Sequence, residues 1–128
     1  MKRLVVISAV LALAVWSAAV VAADAKAKAK PAAKMTLKGE LVDMGCYMGH
    51  EAKGEKHKEC ALKCISNGMP MGLLTADGKL YLVTLNHDSA DPYNQCKEWA
   101  GSMVEITGAV SQRAGMKSID CEAAKAAQ

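Results

Sequence analysis

"MGLLTADGKLYLVTL" occupies residues 71–85. Two apolar runs flank Asp77-Gly78, a dipeptide suited to the backbone angles of a tight turn, so the stretch predicts a β-hairpin. Upstream, "MTLKGELVD" (35–43) mixes apolar and polar residues in rough alternation and reads as a first strand. Gly45 is expected to break that strand, leaving "CYMGHEAKG" (46–54) as a loop. "EKHKECALKCISNG" suits a helix over 55–66, stopped by Asn67-Gly68 with Pro70 just beyond. Downstream, "NHDSADP" is a loop and "PYNQCKEWAG" a short helix closed by Gly101. "SMVEITGAV" and "GMKSIDC" form a last pair of strands around "SQRAG".

Strand, helix, hairpin, short helix, hairpin is a mainly β order with one or two short helices. Five short strands are too few for an immunoglobulin-type sandwich. A small five-stranded barrel fits better, because closure removes exposed edges. The segments "KGELVD" (38–43) and "SMVEITGAVSQRAGMKSI" (102–119) resemble those of a bacterial OB-like barrel. Leu73, Leu82, Val104, Ile106 and Ile119 are its expected buried residues.

The chain's beginning reads differently. Lys2 and Arg3 precede "LVVISAVLALAVWSAAVVAA", and small residues close the run at Val21-Ala22-Ala23. This is the pattern of a secretory signal, residues 1–23, cleaved after Ala23. The rival is an uncleaved anchor, since about 20 apolar residues can span a bilayer. Ser17 and the alanines weaken the far end and favour cleavage, with no stable membrane insertion afterwards. Either way the remainder is expected to be periplasmic or secreted. "DAKAKAKPAAK" (24–34) offers no large apolar side chain and reads as a solvated, flexible tether; its lysines could touch anionic headgroups. One domain follows, residues 35–121, with an alanine-rich tail, 122–128.

From residue 35 onward there are ten Lys or Arg against twelve Asp or Glu, so the chain's formal charge of +3 belongs to its first third. A nucleic-acid binder would show a basic face and stacking aromatics. This domain has no Phe and one Trp, Trp99, which speaks against nucleic acid. Such a modest core commonly needs disulfides or a metal.

Five cysteines make that choice concrete. His57, Cys60 and Cys64 stand at i, i+3 and i+7, one face of a helix. Cys46, in the preceding loop, can fold back over them. Three sulfurs and a nitrogen suit tetrahedral zinc or copper(I). Thioethers would favour copper, and Met44, Met48, Met69 and Met71 flank the cluster, although methionine also fills irregular cores. His50 and His87 read as solvated. The spacing matches no zinc finger, no Cys-x-x-Cys exchange site and no haem attachment motif.

The competing reading is a staple, because thiols in an oxidising compartment tend to pair. Cys60 with Cys64 would be strained within a regular helix. Cys46 can reach either of them, and Cys96 with Cys121 can form a separate bridge. Five cysteines leave one unpaired, which stapling alone does not explain.

"GCYMGHEAKGEKHKECALKCISNGMPMGLL" (45–74) resembles small secreted bacterial proteins of uncharacterised function. They carry a cysteine, then His-x-x-Cys-Ala-x-x-Cys, then a Gly-x-Pro turn. The resemblance implies extracytoplasmic residence and metal or redox handling, and brings no established activity. No phosphate loop, nucleophile elbow or His-Glu-x-x-His is present. Glu51, Glu55 and Glu59 recur among lysines as a solvated face. The expectation is therefore a binding protein more than an enzyme: a copper or zinc chaperone, buffer or sensor. The alternatives are a disulfide-stabilised module for an envelope protein partner or ligand, and a thiol redox protein.

Overall fold

The structure, a computed structural model, describes residues 32–127. The expected signal segment, 1–23, and residues 24–31 of the expected tether lie outside the described residues. The order is β1 (Ala33–Asp43), α1 (Met44–His50), a single 3-10 turn (Glu55–His57), α2 (Lys58–Ser66), β2 (Met71–Thr75), β3 (Leu80–Leu85), α3 (Asp91–Glu98), β4 (Met103–Arg113) and β5 (Met116–Ala126). Among the described residues, no helix is long and apolar enough to cross a membrane.

The five strands close in the order β1-β2-β3-β5-β4, with β3 and β5 parallel and every other pair antiparallel. This is the small OB-like barrel expected from the sequence. β1 serves two neighbours. Its first part pairs with β4 from Ala33↔Val110 to Glu40↔Met103, and its end pairs with β2 from Gly39↔Thr75 to Asp43↔Met71. At the changeover, a Cβ on Gly39 would come within 2.5 Å of the Leu74 carbonyl oxygen. A Cβ on Gly108, where the β4–β5 register shifts, would run into the Asp120 carbonyl. Glycine at these positions lets backbones approach where the barrel turns its corners.

The core draws on every layer. Leu41, Leu73, Val83, Val104, Ile106 and Ile119 come from the strands, Ala61 and Ile65 from α2, and Cys96 from α3. Ala61 and Ile65 are four residues apart on one helical face, so their burial seats α2 on the barrel. Removing most of the Ile65 side chain would cost about 2–5 kcal/mol. Met71, completely buried, is a core filler.

Three expectations are corrected. Residues 44–50 form helix α1 and not a loop: the Asp43 side chain caps it by accepting from the Cys46 N–H at 3.0 Å. Leu82 is half-buried and Val83 is the inward residue. In Leu80-Tyr81-Leu82-Val83 both parities are apolar, and pairing of Val83 with buried Ile119 decides between them. The last strand continues beyond Cys121 to Ala126, because β4 offers partners as far as Val104↔Ala126.

Candidate metal centre

All the cysteines of the cluster lie in the connection between β1 and β2, and three hydrogen bonds fold that connection back on itself. The Met44 N–H donates to the Pro70 carbonyl at 3.0 Å, and the Met69 N–H to the Cys64 carbonyl at 3.0 Å. These bring the last turn of α2 to the first turn of α1. The Gly54 N–H donates to a carboxylate oxygen of Glu40, which draws the 3-10 turn and His57 toward β1. Loops between the first two strands are one of the places where OB barrels bind ligands.

Two donor sets result. The sulfurs of Cys46 and Cys60 and an imidazole nitrogen of His57 lie within 4.8 Å of one another. So do the sulfurs of Cys46 and Cys64 and a carboxylate oxygen of Asp43. The Cys60 and Cys64 sulfurs are 4.0 Å apart. The three thiols therefore form a triangle, with His57 beside one edge and Asp43 beside another. Helical spacing groups His57 with both Cys60 and Cys64. The structure instead divides them, because His57 ends the 3-10 turn and stands at the N-cap of α2, short of its first α-helical residue.

Two polar atoms of this cluster are buried without a hydrogen-bond partner, His57 Nε2 and Asp43 Oδ2. An unsatisfied buried polar group ordinarily costs about 1–3 kcal/mol. Both groups stand beside the thiol triangle, His57 on the side of Cys60 and Asp43 on the side of Cys64. Asp43 is wholly buried, and its other oxygen is held by the Cys46 N–H. That bond fixes the carboxylate as a positioned donor.

Two of the thiols, Cys46 and Cys64, are held toward their protonated form. Burial, then the negative charge of Asp43, pushes the Cys46 thiol up. Cys64 is pushed up to about 12, first by the Asp43 carboxylate beside it and then by burial. Activated thiols show the opposite shift. A metal can displace these protons directly, so raised values are compatible with metal binding and oppose nucleophilic use.

The other sequence-designated residues fall elsewhere. His50 and His87 are exposed. Met48 is 70% exposed, and Met69 rests its methyl group on Gly45. Cys96 and Cys121 face each other in the core as free thiols, sulfurs 3.9 Å apart, both with no exposed surface. Cys96 is pushed up by its contact with Cys121 and by burial.

Asp43 is the donor that sequence reasoning missed. An Asp ending an apolar strand just before a helix is a cap signal, but Gly45 hid the helix and with it the cap. Comparisons with known proteins add nothing to this geometry: no family profile, no curated protein and no solved structure matches the chain. Fold and site define a small OB-like barrel whose first long connection gathers three thiols, an imidazole and a buried carboxylate.

Proposed function

We propose that this protein binds a transition metal ion, copper or zinc, outside the cytoplasm, as a chaperone, buffer or sensor. The observation that carries the reading is the thiol triangle of Cys46, Cys60 and Cys64 beside the unpartnered nitrogen of His57. Cysteine and histidine are the donors that both metals take. Extracytoplasmic residence rests on the basic and apolar pattern of residues 1–23. The exposed face of Cys60 gives an incoming metal donor or acceptor a point of entry, which suits carriage more than permanent structural use.

The test is titration of reduced protein with copper(I) and zinc(II) against a competing chelator. His57→Ala is expected to weaken binding, and Cys60→Ser or Cys64→Ser to weaken it further by replacing sulfur with a poorer, harder donor. Affinity falls as pH falls, because protons compete for the thiolates. Wild-type binding no tighter than that of the triple cysteine variant would end the proposal. Apposition of Cys96 and Cys121 supports a disulfide staple in the same protein, separate from the metal centre.

A further inference from the structure

We propose that the site takes two zinc ions bridged by the Cys46 thiolate, one held with His57 and Cys60 and the other with Asp43 and Cys64. This rests on the reading of the cluster as a metal centre and deepens it in stoichiometry, metal and ligand set.

The donors divide into two sets. Each of the two sets brings three donor atoms within 4.8 Å of one another, and Cys46 belongs to both. A single ion among three sulfurs and His57 would leave Asp43 Oδ2 buried and unpartnered. A single ion on the Asp43 side would leave His57 Nε2 in the same condition. Two ions give both residues a partner.

Charge leads to the same result. Three thiolates and one carboxylate carry a formal negative charge that two divalent ions cancel, with His57 neutral. One zinc ion with the same groups ionised would leave uncompensated charge beside a fully buried carboxylate, which is costly. Donor hardness selects the metal. A carboxylate oxygen is a poor partner for copper(I), whereas zinc accepts sulfur, nitrogen and oxygen alike. With three protein donors each, both ions keep a fourth position open for water or an exchanging ligand.

The positions of the donors are built in. Asp43 is fixed at the end of β1 by pairing with Met71 and by the Cys46 N–H. Cys64 is tied in place through the hydrogen bond from Met69. Zinc on this side therefore needs no rearrangement of the barrel.

The experiment is zinc titration of the full reduced chain, with the number of bound ions counted by native mass spectrometry. Two ions are expected for the wild type. Cys60→Ser and Cys64→Ser are each expected to retain one, as is Asp43→Asn, which preserves the helix cap. Cys46→Ser is expected to lose both, the mark of a shared ligand. Cobalt(II) titration gives a second readout: a bridging thiolate couples the two spins, so the electron paramagnetic resonance signal should fall as the second equivalent binds. One ion in the wild type, or a signal that doubles with the second equivalent, overturns the bridged pair while leaving the metal centre intact. No bound zinc overturns this zinc pair, and no bound copper(I) in a parallel titration overturns the metal centre itself.

Discussion

Two pairs of cysteines in this molecule have almost the same sulfur separation, 4.0 Å for Cys60 and Cys64 and 3.9 Å for Cys96 and Cys121. The first pair sits at the edge of α2, beside an imidazole and a carboxylate, and Cys60 is exposed. The second is sealed among Ile, Val and Leu, with no surface at all. Separation alone would assign both the same role. Their surroundings separate them: polar, orphaned donors around the one point to a cation, and an apolar shell around the other points to a staple. A helix face also restrains Cys60 and Cys64 from closing on each other, whereas Cys96 and Cys121 come from different elements and are free of that restraint.

The sharpest way to break this contrast is alkylation of the reduced native protein, read residue by residue by mass spectrometry. Cys60 is expected to react from the folded state. Cys96 and Cys121 should react only when the barrel opens, slower by about 10⁴-fold for a domain of ordinary stability. Comparable rates for all of them would show that the core pair is not sealed.

Oxidation gives the next largest effect. A Cys96–Cys121 bond is expected to stabilise the domain by about 2–4 kcal/mol, read from urea midpoints of oxidised and reduced protein. Absence of a shift, or an equal shift in Cys121→Ser, would remove the staple. In the reduced state Cys121→Ser should cost about 1–3 kcal/mol by burying a poorly partnered hydroxyl. Cys60→Ser at the exposed cluster should stay within about 0.5 kcal/mol.

The smallest effect is a pH dependence within the exposed cluster. Cys64 is raised from 9.0 to about 12. A raised folded value stabilises fully below the ordinary thiol value and is lost as pH climbs through the folded one. Metal-free protein should therefore lose a little stability between about pH 9 and 12. Asp43→Asn removes the chief cause and should flatten that loss while bringing forward the alkylation of Cys64. Melting curves for the two proteins across this range decide it; identical profiles would deny the Asp43–Cys64 contact.

The same contrast explains what the sequence could tell. The hairpin at Asp77-Gly78 was legible because turn chemistry and two apolar runs agree over residues 71–85. Helix α1 was not: Gly45 and Gly49 lower its propensity, and its support comes from the Asp43 cap and from tertiary hydrogen bonds. "EAAKA" at 122–126 carries no strand signal of its own, and the β4 ladder imposes one. Spacing singled out His57, Cys60 and Cys64, with Cys46 close enough in sequence to join them. It could not find Asp43, nor the division of the donors around Cys46, since both depend on how a 27-residue connection, 44–70, folds between two strands.

The double service of β1 also has a kinetic side. Its partnership with β4 joins residues about seventy positions apart, Ala33 to Val110 and Glu40 to Met103. Closing such a span costs chain entropy before any contact rewards it, which places barrels of this kind among the slower folders, in milliseconds to seconds. The connection from β1 to β2 is local by comparison. Its thiols can gather around a metal while β4 is still searching for its edge, and the ion would then act as a nucleus. Refolding with and without zinc, followed at Trp99 beside the core, should show the metal speeding closure and not merely slowing unfolding.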